Sequence, residues 1–394
     1  MSANRNENGY DITAQNYFDE LGSHSDSELD PITHQSVSEA RAKLKWEAFE
    51  YLLGRANREK DFNDEQFTYR GHITRAVDGT SMITPRTEDL LSHFTPRIST
   101  KGEGHYPSLL LVTAINVFTG QVISGKVENH TASERDQLRF MIRHVFNKGD
   151  LSLLDRGFPA GWIFLEYKKA EQFYLARLKT TGDRMSVYVR QFLKSKQKSK
   201  VITITVMDET TGREVEIKIR LVRGPKDSEG KRIAFATNLI GEKYSRRSIL
   251  KLYRERWTVE TLYWRVKILL KIERFHSRSY NGVMQEIFAN LLVLSLTALI
   301  WAATIKKHRL NAKYVVPSFK NAVEVVRRHL FHAIDNKITG TKARVLAKKL
   351  ILQTGRVLWA KQPGRSYPRV SMQPIKSWNL AKIKKLEEFK NRRT

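Results

Sequence analysis

Tyr253-Arg254-Glu255-Arg256-Trp257-Thr258-Val259-Glu260, followed by Lys267, sets one carboxylate within a run of basic and aromatic residues. At about 100° of rotation per residue on a helix, Tyr253, Arg256, Glu260, Trp264, Lys267 and Lys271 fall within roughly an 80° arc. Leu252, Val259, Leu262, Val266, Leu269 and Leu270 fall on the opposite side. One face therefore suits packing and the other suits an anionic partner. An acid among phosphate-binding residue types points to metal-assisted chemistry on nucleic acid.

Two further acids share a local pattern. Asp78 closes Ile73-Thr74-Arg75-Ala76-Val77 and precedes Gly79-Thr80, and Asp155 closes Leu151-Ser152-Leu153-Leu154 and precedes Arg156-Gly157-Phe158. An acid at the end of a buried strand, before a glycine turn, stands at the sheet edge where α/β proteins build their sites. With Glu260 from a neighbouring helix, three oxygen ligands become available to a hard divalent ion. Each acid also has a plainer role open to it. Asp78-Gly79 is a common turn dipeptide, Asp155 can cap the next element, and Glu260 can pair with Arg256 at i,i+4 for a few tenths of a kcal/mol.

The elements that must position these acids follow from periodicity. Ser36 to Arg58 reads as a helix. Ile73–Asp78, Ser108–Phe118 and Gln121–Val127 read as strands, the last two joined by a hairpin at Thr119-Gly120. A helix over Ala132–Asn147 leads to the short buried strand at Leu151, and after a short helix Phe173–Leu178 resumes the sheet. Lys200–Met207 and Glu214–Val222 form a second hairpin in a polar, basic stretch. Ile233–Leu239 is a core strand, and Ser245–Ile272 is the helix that carries Glu260. This order predicts an α/β fold, a mixed sheet flanked by helices.

The 394-residue chain carries a formal net charge of +28. Charge of that size favours polyanions, because each Lys or Arg placed on a phosphate releases condensed counterions. Residues 306–394 hold 23 Lys or Arg against four acids, with Trp359, Tyr367 and Trp378 interleaved. That mixture suits contact with phosphates and bases. The first 31 residues are instead acidic, with seven acids against Arg5, and they form no signal peptide. With no cysteine in the chain there is no disulfide framework and no thiolate zinc site, so any metal is held by oxygen or imidazole. No glycine-rich phosphate loop is present, which removes support for nucleotide hydrolysis. The apolar run Ile287–Ile305 is long enough to span a membrane, but Asn290, Ser295 and Thr297 interrupt it and no second span appears. A buried core helix is the expectation.

The spacing Tyr253, Arg256, Glu260, Lys267 resembles the Tyr-Arg-Glu-Lys signature of the insertion-sequence-four family of DDE transposases. Val77-Asp78-Gly79-Thr80 resembles that family's first acidic motif and Leu154-Asp155-Arg156-Gly157-Phe158 its second, while Val37 to Leu44 resembles a short helical motif upstream. The resemblance covers roughly residues 30 to 300. It implies a ribonuclease-H-like core with a β-rich insertion before the helix of the catalytic Glu. It further implies that Asp78, Asp155 and Glu260 bind two Mg2+ ions, with Mn2+ able to substitute, for two-metal phosphoryl transfer. In the family that the chain resembles, water first frees a 3′-hydroxyl at the element end and that hydroxyl then attacks target DNA, and the same reaction is expected here. Tyr253, Arg256 and Lys267 would hold the phosphates of the end and a flipped base, Arg156 would join them on DNA, and Trp257 is a candidate to stack on the base.

The expected organisation is therefore an acidic tail and helical segment over 1–70, a first part of the catalytic core over 71–181, a β-rich insertion over 182–231, a second part of the core over 232–305, and a basic DNA- or protein-contact region over 306–394. The partners expected are double-stranded DNA, as element ends and target, and a second copy of the chain in a synaptic complex, a homodimer or larger. The expected location is the cytoplasm, on the nucleoid and not in a membrane. Two other functions fit parts of the pattern: a ribonuclease-H-fold nuclease that cuts without strand transfer, and a basic DNA-binding protein without chemistry.

Overall fold

The computed structural model of the chain describes residues 33–57, 65–99, 102–182, 185–226, 230–264, 275–334 and 340–361. Helix α1 (His34–Lys43) starts at Thr33, whose hydroxyl accepts from the Ser36 amide, and it stops where Leu44 turns extended. Helix α2 (Glu47–Ala56) follows. The single helix expected from Ser36 to Arg58 is thus two, and the reason is tertiary. Trp46, at the break, stacks on Phe288 at 5.1 Å and gives its amide to the Asn281 side chain.

Strand β1 (Thr74–Ile83) begins the sheet, followed by helix α3 (Glu88–His93), β2 (Pro96–Ser99), the long β3 (Gly102–Asn116) and β4 (Val122–Asn129). β3 pairs antiparallel with β1, with β2 and with β4, and Gly120, at φ 76°, makes the β3–β4 turn. Helix α4 (Glu134–His144) crosses to β5 (Leu151–Leu154), which lies parallel to β1. Helix α5 (Gly161–Lys169) crosses again to β6 (Phe173–Arg177), parallel to β5. After α6 (Val187–Lys194) come β7 (Ser199–Asp208), β8 (Arg213–Lys226) and β9 (Arg232–Thr237). β9 joins β6 antiparallel, so the hairpin β7–β8 extends the same nine-stranded sheet in the order β2-β3-β1-β5-β6-β9-β8-β7, with β4 on β3. The result is the mixed sheet flanked by helices that the periodicity predicts.

Side chains alternate across a strand, so the two faces of the sheet bury two separate cores. Val77, Leu154 and Ala176 face α4, α5 and α6 with Leu138, Met141, Ile163, Phe164 and Phe192. Ala76, Leu153 and Leu175 face the other layer, built from α7 (Arg246–Tyr253), a 3-10 turn at Arg254–Arg256, α8 (Trp257–Trp264) and α9 (Tyr280–Lys307). α9 contains the apolar run, and it lies against β4, where Leu291 occupies the space a side chain at Gly125 would need. Its polar interruptions are all used inside the fold. Asn290 and Thr297 bond the helix's own carbonyls, and Ser295 donates to the Val122 carbonyl at 3.1 Å. A helix with neighbours on this scale is a core helix, as expected.

Part of the basic C-terminal region packs on α9. Strand β10 (Val315–Pro317), helix α10 (Phe319–Ile334), helix α11 (Gly340–Thr354) and strand β11 (Leu358–Ala360) follow it, and Trp301 of α9 donates its indole N–H to the Pro317 carbonyl at 2.8 Å. Tyr367 and Trp378 lie outside the described residues.

Below the sheet end that carries the acids, Arg75 is held in the core by a fork. Its Nε and Nη2 reach one oxygen of Asp150 at 2.7 and 2.6 Å, and its guanidinium lies 5.2 Å from the Phe146 ring centre. Both side chains are about 95% buried. Removing one partner of such a pair leaves an uncompensated buried charge, which typically costs about 3–5 kcal/mol. Asp150→Ala is therefore expected to lose on the order of 3 kcal/mol in urea unfolding; a loss under ~1 kcal/mol would show that the pair does not hold β1 to the start of β5.

Candidate active site

The parallel register brings the first two acids together. Ala76 of β1 pairs with Leu153 of β5, so Asp78 and Asp155, each two residues further on, come to the same level and the same side. β5 is four residues long and buried throughout, and Asp155 is the first residue beyond it, at a turn closed by the Phe158 amide on the Asp155 carbonyl. Asp155 thus stands where the sequence places it, past the end of a buried strand. Asp78 does not. β1 runs on through Gly79 to Ile83, with Asp78 opposite Thr113 and Gly79 opposite Val112 of β3. The Asp-Gly step is continuous strand because β3 supplies backbone partners past it, and the turn expected after Asp78 is absent.

The face to which Asp78 and Asp155 point is the one covered by α7 to α9, and there the Glu260 helix differs from its expected form. The continuous helix expected over Ser245–Ile272 is interrupted by the 3-10 turn at Arg254–Arg256, and the described part ends at Trp264. The stripe faces inward. Tyr253 and Arg256 are buried at 8% and 5% exposure, whereas Trp257 is exposed at 43%. The Tyr253 hydroxyl donates to the Leu154 carbonyl at 3.1 Å and so ties the end of α7 to the residue before Asp155. Burial pushes its phenol well above the usual range.

Arg256 is the cation of the site. Its Nη2 pairs with Glu260 at 2.7 Å, its guanidinium lies 6.0 and 5.4 Å from the Tyr253 and Trp257 ring centres, and its Nε is buried with no hydrogen-bond partner. Burial disfavours its charge, yet Tyr253, Glu260 and Asp155 around it outweigh that and raise its pKa. Asp78 feels the same guanidinium. Burial is the largest influence and pushes its carboxyl from 3.8 up to about 6; the Gly79 amide, at 3.0 Å, and Arg256 pull it down, while Glu134 and Asp155 push it up again. A carboxylate shifted this far at a converging set of acids is the usual mark of a functional site.

The structure therefore gathers Asp78, Asp155, Tyr253, Arg256 and Glu260 on neighbouring elements. Arg156 and Trp257 are exposed beside them. Lys267, with Lys271, lies outside the described residues. One participant escapes the motif reading. Glu134, the first residue of α4, reaches Gly79 and couples to both aspartates; burial first, then Asp155, raises its pKa. In the sequence it looks like any acid opening a helix, and only the crossing of α4 over β1 reveals it.

Carboxylate oxygens with a buried guanidinium suit a hard divalent cation and phosphate respectively, so the donor chemistry fits a magnesium-type site. Among the described residues no three His, Asp or Glu side chains are grouped tightly enough to hold an ion as they stand. Glu260 is directed to Arg256 instead.

The raised pKa of Asp78 has a stability consequence. Between pH 3.8 and about 6 the native state binds more protons than the unfolded chain, so this contribution is complete below pH 3.8 and lost as pH rises through 6. Two pKa units correspond to about 2–3 kcal/mol. With a chelator present, Asp78→Asn is expected to be more stable than the parent by on the order of 2 kcal/mol at pH 8, and the gap should close toward pH 4. Urea unfolding at the two pH values checks this, and equal stabilities at pH 8 would contradict it.

A family model described as the transposase DDE domain matches residues 69–296, which takes in β1 through the first half of α9 and all the acids above. No curated protein sequence matches the chain. Among solved structures, the piggyBac transposase synaptic complex with hairpin DNA, determined by cryo-EM, is similar over 77% of this chain and 63% of its own, less than two thirds, at 9% identity and a TM-score of 0.40. A likeness that distant carries no argument. The family match spans more than half of the sequence and the whole of the acid-bearing sheet, and the chain accordingly belongs to the family of transposase DDE domains.

Proposed function

We propose that this protein is a DNA transposase of the insertion-sequence-four type, with a ribonuclease-H-like core, that cleaves at the ends of its element and joins the freed 3′-hydroxyl to target DNA. The observation that carries the proposal is the register that sets Asp78 level with Asp155, on the sheet face covered by the turn and helix that carry Arg256 and Glu260. Asp78, Asp155 and Glu260 would hold two Mg2+ ions, with Mn2+ a substitute. When bound, such ions activate the attacking oxygen and stabilise the leaving one. The chain's own part is positional. Arg256, which holds Glu260 at 2.7 Å, would offer its guanidinium to a phosphate of the DNA end, and Glu260 would serve as the third carboxylate for the cations. Tyr253, tied to the Leu154 carbonyl, keeps that arginine beside Asp155. Trp257 offers an exposed indole face for an unstacked base, and Arg156 and Lys267 add phosphate contacts.

In this proposal residues 71–181 and 232–305 form the catalytic core, 182–231 is the insertion, and the basic segment from 306 grips double-stranded DNA. Two ends cut together call for at least a dimer, in the cytoplasm on the nucleoid. Asp78→Ala, Asp155→Ala and Glu260→Ala are each expected to abolish Mg2+-dependent cleavage of a plasmid carrying the DNA that flanks the reading frame, while end binding by gel shift stays within ~3-fold. Cleavage surviving in any of the three would remove that residue from the proposed triad. Joined products with a second, target plasmid would separate a transposase from a nuclease that only cuts.

Charge in the C-terminal helices gives a separate expectation. Lys342, Arg344, Lys348 and Lys349 of α11 are all exposed. Replacing all four with Gln is expected to weaken duplex binding and to reduce the slope of log K against log salt by roughly 0.9 for each phosphate that is no longer neutralised. An unchanged slope would place the DNA elsewhere.

A further inference from the structure

The two edges of the nine-stranded sheet are finished differently. At one edge β4 is covered. The side-chain amide of Asn57 donates to the Val122 and Ile123 carbonyls at 2.8 Å each, and Ser295 of α9 also bonds Val122. β2 beside it is four residues long and opens on Pro96. Short strands, proline and covering groups keep an edge from pairing with another chain. β7, the strand at the other edge, has none of these among the described residues. It runs ten residues from Ser199 to Asp208, and among the described residues its backbone between Val201 and Met207 bonds only β8. In a chain of net charge +28, the seven residues Val201-Ile202-Thr203-Ile204-Thr205-Val206-Met207 carry no charge, and six of them are β-branched. Val201, Thr203, Thr205 and Met207 are exposed on one face. Ile202, Ile204 and Val206 turn to the core on the other, where Val206 packs against Gly161 of α5.

We infer that β7 is the docking edge for a second copy of this chain, paired antiparallel about a two-fold axis at Ile204, so that the two sheets continue into one. The strand is self-complementary about that residue. Ile204 meets the partner's Ile204, Thr203 faces the partner's Thr205, Ile202 the partner's Val206, Val201 the partner's Met207 and Lys200 the partner's Asp208. Every pair keeps to one face of the sheet, threonine with threonine outside and β-branched with β-branched inside, as cross-strand pairs require. The charges at the two ends agree with the direction. Exposed Lys196, Lys198 and Lys200 lead into β7, whereas Asp208 and Glu209 end it. Antiparallel pairing sets the basic end of one copy against the acidic end of the other, and parallel pairing would set like against like. Pairing of this kind needs neither DNA nor a cation, so it stands apart from the transposase reading, to whose dimer it would give a definite surface.

The test is sedimentation velocity of the full chain without DNA, in ~0.3 M salt to screen the net charge. The parent is expected to be dimeric at ~10 μM. Thr203→Glu with Thr205→Glu sets two like-charge pairs across the axis and should weaken self-association by at least ~10-fold, although it lowers the net charge that drives the copies apart. Thr203→Glu with Thr205→Lys makes both pairs opposite in sign and should return the affinity to within ~3-fold of the parent. Within one copy Thr203 and Thr205 lie opposite Lys218 and Glu216 of β8, so the second variant also suits the fold itself. The chain has no cysteine, which gives a further readout. A mixture of Thr203→Cys and Thr205→Cys chains should cross-link on oxidation, and neither chain alone should. A parent that is monomeric at ~50 μM, a dimer indifferent to the paired glutamates, or a dimer lost with Glu/Glu and not regained with Glu/Lys would each overturn the pairing. DNA cleavage plays no part in the readout, so failure here leaves the catalytic proposal standing, and failure there leaves this edge.

Discussion

The parallel pairing of β1 with β5 is the constraint on which the rest of this structure depends. Antiparallel neighbours can be joined by a turn, but a parallel pair needs a crossover, and here α4 makes it. That crossover does two things at once. It sets Asp78 and Asp155 at one level, and it delivers the start of α4, with Glu134 and Arg135, to the same place. Taking a carboxylate out of water is unfavourable, and burial pushes the Asp78 carboxyl up to about 6, with Glu134 and Asp155 adding to the shift. A fold tolerates such a site only when the surrounding packing is strong enough to impose it. The two cores on either face of the sheet, and the Arg75–Asp150 pair beneath it, supply that packing.

Arg256 shows how the opposing layer answers the acids. Arg256, at the end of the 3-10 turn Arg254–Arg256, is buried against Tyr253 and beside Glu260. The guanidinium then gives Glu260 a partner and lowers the field at Asp78 and Asp155. Trp257, the next residue, lies at the surface, so neighbouring positions hold a buried cation and an exposed aromatic. Under the proposed function that separation divides the labour between phosphate and base.

Electrostatics on the larger scale is arranged around this centre. The acids sit in the sheet, whereas exposed basic residues of α11 lie in the segment that packs on the far end of α9. The long apolar helix α9 contacts both the sheet and the C-terminal segment. Its length and composition would suit a bilayer, yet the hydroxyls of Ser295 and Thr297 and the side-chain amide N–H of Asn290 donate to protein carbonyls, and its leucines pack in the core beside the sheet. Burial inside protein, not lipid, accounts for its hydrophobicity.

Much of this was legible from local pattern. Strand alternation, the hairpin glycines and the +28 charge are properties of neighbouring residues or of the whole chain, so β3 to β9, the helix-flanked sheet and an anionic partner follow from them directly. The motif spacing also singled out Asp78, Asp155 and Glu260. What it could not contain is anything decided by contacts between distant segments. Asp78-Gly79 looks like a turn until β3 pairs past it. Ser36–Arg58 looks like one helix until Trp46 finds Phe288, and Tyr253 looks surface-facing until its hydroxyl reaches Leu154. Glu134 looks like a helix-opening acid until α4 crosses over Gly79. Short-range periodicity determined the elements and the sign of the partner, and tertiary structure alone decided which charges meet, because repulsion, desolvation and shared hydrogen bonds exist only once segments far apart in the chain are packed together.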